Sequence, residues 1–435
     1  MSTVEAAQRP SARAWLVWLL GALSFAYAFF HRVAPSVMVD ELMRGFAVGA
    51  GVLGNLSAIY FYVYAGLQIP IGVMLDRYGS RRMLTAGAVL AAVGATVFAG
   101  AHDLWLAYVG RLLIGMGVSV GFVGTLKLAG HWFPANRFGL ILGLTMLVAM
   151  AGGIGGQAPL AALVDLVGWR AAIGGSAVFG LALAAATWAV VRDRPPGDTS
   201  PPPAPRGLGG LQADLALVLG SRQNWLIALY AVTMSGPMLS YGALWGVPHL
   251  MRAYGVERTT AAISVSLLLI GWAIGSPLGG WLSDRMGRRK PAMLFAGLGA
   301  LAGWLALLYL PGLTLPAAQA LIFATGVVSG AMVICMAAAR EQAPHRVGAT
   351  VSGLVNTAMV GGGALMQPLV GLLLDAGWDG RMAAGARVYT LEAYHSALLA
   401  LPASTAIGIV TLIAVRETWC RPHAEEATAP AANAA

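Results

Sequence analysis

The chain has 435 residues, of which 58% are hydrophobic and only 10% charged, and its mean hydropathy is +0.73; soluble domains carry about 25% charged residues, so a soluble globular protein is excluded, as is a disordered chain, which needs low hydrophobicity. The net charge of +9 comes from 25 Arg and two lysines, Lys127 and Lys290, and points to a polyanion partner only if those charges fail to sort by loop. Two cysteines, Cys335 and Cys420, cannot build a disulfide framework.

Punctuation by Gly, Pro and charge divides the chain into twelve apolar segments, at 14–39, 51–75, 83–101, 104–130, 138–164, 171–191, 223–250, 259–282, 291–310, 315–339, 349–374 and 393–415. A helix needs roughly 20 apolar residues to cross a bilayer, and these runs are too long and too uniformly apolar for barrel strands. Backbone in lipid must satisfy its own hydrogen bonds, which leaves helices. The first segment is too long for a signal-peptide core and has no small-residue cleavage site ahead of a polar domain. With the N-terminus placed inside, the cytoplasmic loops carry 18 Lys and Arg against 6 in the opposite loops, while Arg32, Arg111 and Lys127 lie within spans. This bias predicts both termini in the cytoplasm and a multi-pass protein of the inner, cytoplasmic membrane. The basic charge is then topology, and no nucleic-acid partner is expected.

The stretch 192–222 stands apart. Pro195-Pro196, Pro201-Pro202-Pro203, Pro205 and Gly209-Gly210 predict an extended, weakly ordered cytoplasmic linker. It separates an N-terminal half, 1–191, from a C-terminal half, 223–415, which a tail at 416–435 follows. The halves repeat each other. Gly72-x-x-x-Asp76-Arg77-x-Gly79-x-Arg81-Arg82 after span 2 returns as Gly280-x-x-x-Asp284-Arg285-x-Gly287-Arg288-Arg289-Lys290 after span 8, at an offset of 208. Arg137-x-Gly139 returns as Arg346-x-Gly348, and Pro159 with Gly168-Trp169 as Pro368 with Gly377-Trp378, each at 209. Parallel halves around a cavity are a transporter architecture.

With these motifs the chain resembles the major facilitator superfamily over almost its whole length. The resemblance implies an all-α polytopic membrane protein: twelve transmembrane helices in two six-helix, pseudo-symmetric halves around a central cavity, working by alternating access. It makes the repeated loops gates, with Asp76, Arg77 and Arg81 in one copy and Asp284, Arg285 and Arg288 in the other. Gly72 permits close helix approach, and Asp76 is able to pair with basic neighbours or a helix N-terminus.

An ionisable residue inside a span is a default functional candidate, because it must be paired or face a cavity. Span 1 runs 26 residues before Asp40, near 39 Å at 1.5 Å per residue. Arg32 then lies ~12 Å inside that end, either snorkelling outward or holding an anion with its planar fork. Tyr27-x-x-x-x-Arg32 resembles span 1 of the organic-anion branches, the anion:cation symporters and organophosphate antiporters, which implies an anionic substrate at Arg32 with Tyr27 beside it. Arg111-x-x-x-Gly115-x-Gly117, Lys127-x-x-x-x-Trp132-Phe133-Pro134-x-x-Arg137 and Gly168-Trp169-Arg170 resemble the same branches. Val118 stands where those symporters often carry an acid, and Leu239-Ser240-Tyr241 where the antiporters carry a second arginine. These departures favour a monocarboxylate or zwitterion over a doubly charged phosphate ester. Lys127 is a cavity candidate, Arg111 a structural brace, and His31 the candidate for proton coupling. Asp165 and Asp375, at matched outer helix ends, read as helix-end contacts. Tyr241 and Trp245, at i and i+4, share a face of span 7 and are candidate substrate contacts, as is Asn356 in span 11.

No nucleotide-binding loop, metal cluster or catalytic triad is legible, so the expectation is a non-enzyme with no cofactor and no catalytic or metal site, acting as a monomer in the lipid bilayer on a small-molecule substrate with H⁺ or Na⁺ as coupling ion. Two other functions compete. A drug-efflux antiporter would carry Gly-x8-Gly-x3-Gly-Pro in span 5; Gly143, Gly152 and Gly156 fit, but Gln157 replaces the proline. A non-transporting sensor on the same scaffold would need a partner kinase.

Overall fold

The computed structural model describes residues 11–134, 137–196, 208–344, 347–383 and 385–421. Arg9, Arg206, Arg346, the prolines at 201–205 and the tail from 422 lie outside them. In chain order the helices are α1 Ala12–Val33, α2 Val39–Phe46, α3 Ala50–Tyr78, α4 Ser80–Ala99, α5 Leu104–Val118, α6 Gly121–Trp132, α7 Phe138–Gly155 and α8 Ala158–Val190; then α9 Leu208–Gly220, α10 Arg222–Ser240, α11 Gly246–Tyr254, α12 Arg258–Met286, α13 Lys290–Tyr309, α14 Leu315–Gly330, α15 Ile334–Glu341, α16 Gly348–Ala376, α17 Leu391–Leu398 and α18 Ala400–Ala414. A hairpin of β1 Met382–Ala383 and β2 Ala386–Arg387 precedes α17.

Among the described residues, eleven helical stretches are long and apolar enough to cross a membrane. One of them, Phe138–Val190, has 53 residues and folds back at Gly168, whose φ of 79° and ψ of 157° are open to glycine but not to a residue with a Cβ. Eleven stretches thus give twelve crossings, the number expected from the sequence. Several helices run about a turn beyond their apolar cores, so the loop charges sit on helix ends.

The linker departs from its expected form. Beyond the last proline, the run Gln212-Ala213-Asp214-Leu215-Ala216-Leu217-Val218-Leu219 is rich in helix formers, and α9 forms there. Asn224 and Trp225 of α10 donate side-chain hydrogen bonds to the carbonyls of Val218 and Leu219, 2.9 and 2.7 Å, and so dock its end.

Within the first half α1 packs on α7, and α4 on α5 and α8; within the second, α10 packs on α16 and α18, and α12 on α14. The halves meet through α3 against α16 and α12 against α7 and α8. By the repeat α3 corresponds to α12, so both contacts are the same contact seen from opposite sides. The bonds that cross between halves cluster at the end carrying residues 38–49 and 377–390, hereafter the far end. At the other, motif end, Gly72 and Gly280 have no atom within 4 Å of where a Cβ would sit. The close approach that those glycines permit is not made in this conformation.

Candidate substrate site and its gates

Arg32 sits in the last turn of α1 and is only 8% exposed. Its guanidinium carbon lies 4.3 Å from the ring centre of Phe29, 5.5 Å from Tyr64 and 5.9 Å from both Tyr60 and Phe61. Phe29 lies a turn earlier on α1, and the other three come from one stretch of α3. Tyr60 is pinned by its hydroxyl, which donates to the Ala28 carbonyl at 2.8 Å, and it stacks with Tyr64 at 6.1 Å. Aromatic faces attract a cation, and the Tyr60 and Tyr64 hydroxyls interact with the guanidinium, but among the described residues Arg32 Nε has no hydrogen-bond partner. No described carboxylate forms an ion pair with it. Phe61 also faces the other half, since a Cβ on Gly363 of α16 would stand 3.1 Å from its ring. The cage therefore lies at the seam between the halves.

The other candidates point elsewhere. Five residues along an α-helix turn about 140°, so Tyr27 does not share a face with Arg32. Its hydroxyl donates to the Ser176 carbonyl of α8 at 2.9 Å. His31, the coupling candidate, is fully buried against Tyr27 and Phe30, with Nε2 3.5 Å from Ser176 Oγ. It faces α8 rather than the seam. Arg111 donates to the carbonyls of His31 and Ser57 at 2.9 and 3.2 Å, tying α5 to α1 and α3. Lys127 does not meet Arg32; its Nζ donates to the Leu75 carbonyl and to Asp76, at 2.7 and 2.8 Å.

In the seventh span Pro237 withholds a backbone donor, and a π turn, Tyr241–Trp245, links α10 to α11. Such turns are frequent at functional sites. Tyr241 and Trp245 are both fully buried but meet different helices: Tyr241 packs on Trp304 of α13 at 5.4 Å, and Trp245 Nε1 donates to the Gln367 carbonyl of α16 at 3.0 Å. Asn356 is half-buried on α16, with no hydrogen bond to a described residue.

The motif loops hold themselves together within each half. Asp76 pairs with Lys127 across 2.8 Å and stays 80% exposed. Asp284 pairs with Arg289 across 2.6 Å, not with Arg285 or Arg288, and Arg289 also grips Glu341 at 2.6 Å. Arg77, Arg81, Arg285 and Arg288 lie over Tyr78, Trp188, Trp281 and Trp419, each in its own half. The acid after the last helix of each half caps the third span: Asp193 accepts from Arg81 N at 2.9 Å, and Glu417 from Arg289 N at 2.9 Å and Lys290 N at 3.1 Å. Burial pushes the Glu417 carboxyl up, but its backbone donors win and hold it below the usual range.

At the far end the acids read as helix-end contacts do more than that. Helix α3 opens at Gly49 with no cap of its own. Asp375, from the other half, accepts from Ala50 N at 3.1 Å and Gly51 N at 2.8 Å, satisfying two of the free donors of that N-terminus. Arg387 at 3.0 Å and Tyr389 at 2.5 Å hold the same carboxylate. Burial and the Asp375 carboxylate raise the Tyr389 phenol above its ordinary range, so it stays a donor. A Cβ on Gly49 would stand 2.5 Å from Asp375 Oδ1, and one on Gly371 would stand 2.3 Å from the Ala50 carbonyl oxygen. Opposite, Arg258 at the start of α12 pairs with Glu41 of α2 and, at 3.2 Å, with Asp165. Gln157 adds a further crossing bond, from Nε2 to the Gly242 carbonyl of the π turn at 2.7 Å. The signal for this latch was in the repeat: Asp165 and Asp375 differ by 210, and Ala50 and Arg258 by 208.

The Major Facilitator Superfamily family model matches residues 18–245 and 238–434. The chain is 24% identical over 398 residues to the "Membrane sensor protein UhpC" of Salmonella typhimurium, covering 87% of this chain and 89% of that one. It is 24% identical over 300 residues to the "Probable sulfoacetate transporter SauU" of Cupriavidus necator, covering 64% and 69%. Its fold matches the crystal structure of a bacterial homologue of the human lysosomal transporter Spinster in an inward-facing and unoccupied conformation, with a TM-score of 0.72 at 19% identity, over 93% of this chain and 96% of that one.

Proposed function

The chain belongs to the major facilitator superfamily, and on that premise we propose that it moves a small organic anion or zwitterion across the cytoplasmic membrane by alternating access, coupled to an ion. The observation that supports this reading is Arg32: a buried cation at the seam between the halves, with, among the described residues, no partner for its Nε and no paired carboxylate. Arg111 and Lys127 are engaged within the first half, so the cage offers one free positive charge. That suits a monocarboxylate better than a dianion. The similarity to the "Probable sulfoacetate transporter SauU" supports an anion, although sulfoacetate itself carries two negative charges. Gln157, where efflux antiporters place a proline, bonds across the seam, and a cationic cage does not favour lipophilic cations. The likeness to UhpC keeps a sensing role as the second reading.

In this proposal the motif end is cytoplasmic, the far end is closed, and the cavity opens inward. Reporter fusions in the 76–82 and 284–290 loops should read cytoplasmic, and a periplasmic signal at either would overturn the orientation. The function itself is tested by a thermal-shift screen of purified protein with monocarboxylates, sulfonates, amino acids, phosphate monoesters and cationic dyes. A ligand at about 100 times its Kd stabilises by about 2.7 kcal/mol. Stabilisation by singly charged anions or zwitterions is expected, and stabilisation by dyes alone would favour efflux. Uptake of the stabilising compound into proteoliposomes then separates a transporter from a sensor.

A further inference from the structure

We propose that His249, not His31, is the proton-binding site of this protein, and that its protonation opens the far end. His249 lies on α11 and is 1% exposed. Its Nδ1 is 3.0 Å from Tyr241 Oη, while Nε2 is buried with no partner among the described residues. A hydroxyl either donates or accepts, so Tyr241 serves both tautomers and Nε2 is left over in each. With Nδ1–H donated to Tyr241, the Nε2 lone pair is free to take a proton. Buried polar atoms are seldom left unpaired, and such an exception calls for an explanation.

A second histidine lies between His249 and the surface. The ring of His395, on α17 and half-buried, lies 6.0 Å from that of His249. Exposed Tyr309 packs on His395 at 5.8 Å and donates to its carbonyl at 3.0 Å. Each surrounding element brings charged or titratable groups toward this region. The seventh span itself supplies Tyr241, Arg252 and Tyr254; α17 supplies Glu392, Tyr394 and His395; α13 supplies Trp304 and Tyr309. From α12 comes Arg258, from the turn after α1 Ser36, and from α2 Asp40 and Glu41. Arg258 holds Glu41, and Ser36 donates to the Val33 carbonyl. No described carboxylate contacts His249. An imidazolium there has no counter-charge while the far end is closed, and water supplies its solvation when that end opens. Acid therefore favours the open far end. The element is suited to report this, because the π turn and Pro248 flank the histidine, and Gln157 of the other half bonds to that same π turn.

This rests on the alternating-access reading only in requiring two states of the far end, and the test needs no substrate. Spin labels at His102→Cys and Pro311→Cys, on far-end loops of the two halves, are read by pulsed EPR in lipid nanodiscs between about pH 8 and 5. The background is Cys420→Ser, with buried Cys335 left in place. Acid should raise the ratio of long to short distances by up to about tenfold per pH unit. His249→Gln should flatten the response, and Tyr241→Phe, which keeps the histidine and removes the partner of Nδ1, should move its midpoint. A static wild type, an unchanged response in His249→Gln, or, should that variant not fold, an unmoved midpoint in Tyr241→Phe overturns the proposal. Proteoliposome uptake is scored separately. A protein that transports yet keeps its pH response without His249 loses this inference alone, and one that responds through His249 but carries no solute loses the transport reading alone.

Discussion

Arg32→Ala should abolish binding and uptake of the anion found in the screen, while membrane levels and melting temperature stay near wild type. A charge-assisted hydrogen bond contributes about 1.5–3 kcal/mol, so its loss weakens affinity by about 10- to 150-fold. Arg32→Lys should recover part of this, because lysine keeps the charge but lacks the planar fork that grips a carboxylate with two bonds. Arg32→Gln should resemble alanine. Folding should tolerate these changes for a reason specific to the site: no carboxylate among the described residues pairs with Arg32, so removing the cation strands no described buried anion. If the arginine merely plugged the aromatic cage, the reverse pattern would appear. Affinity for the ligand would be equal in wild type, Arg32→Lys and Arg32→Gln, and stability would fall with the lost cation–π contacts. Binding measured for these variants alongside their melting temperatures decides between the two.

Hydropathy and loop charge made the twelve spans legible, because a bilayer imposes one length and one polarity on every crossing. The repeat offset added the two halves. Side-chain direction was the harder matter. Arg32 was readable as a candidate because a lone cation in an apolar span must be accounted for, but nothing local showed that Tyr60, Phe61 and Tyr64 of α3 would surround it. The resemblance put Tyr27 beside Arg32, and His31 adjoins it in the chain as the coupling candidate, whereas helical rotation turns both toward α8. Lys127 and Asp76 are 51 residues apart, and only the packing of α6 on α3 brings them together. His249 gave no sequence signal, since its distinguishing feature is an unfilled nitrogen, which exists only once the neighbours are placed. The latch acids were located correctly at helix ends, but which helix end they cap depends on how one half sits on the other.

That latch carries the second large effect. Asp375→Asn should shift the far end from closed toward open, because one carboxylate there fills two N–H donors of α3 and meets Arg387 and Tyr389. A cap is worth about 1 kcal/mol, the helix dipole about 0.3–1 kcal/mol, and a hydrogen bond to a charged group about 1.5–3 kcal/mol. Asparagine keeps part of the cap and loses the charge, so a net loss of about 2 kcal/mol is reasonable, or about a 30-fold change in the closed-to-open ratio. Arg258→Gln, at the pseudo-symmetric position, should act in the same direction by releasing Glu41 and Asp165. Asp76→Asn should act oppositely. In this conformation Asp76 pairs, among the described residues, with Lys127 alone, at an exposed site where a pair contributes little. If the motif loops close their own end in the other state, the substitution weakens that state alone and favours the closed far end. The two sites lie at opposite ends of the fold and share no partner, so their effects should add. The double variant Asp76→Asn/Asp375→Asn should return the ratio toward wild type. The same labels at positions 102 and 311, at constant pH, read wild type and all four variants. An unmoved distance distribution in Asp375→Asn would show that the glycine-lined seam of α3 and α16 closes the far end without its charges, and a shift of the same sign in Asp76→Asn would remove the motif loops from the gate.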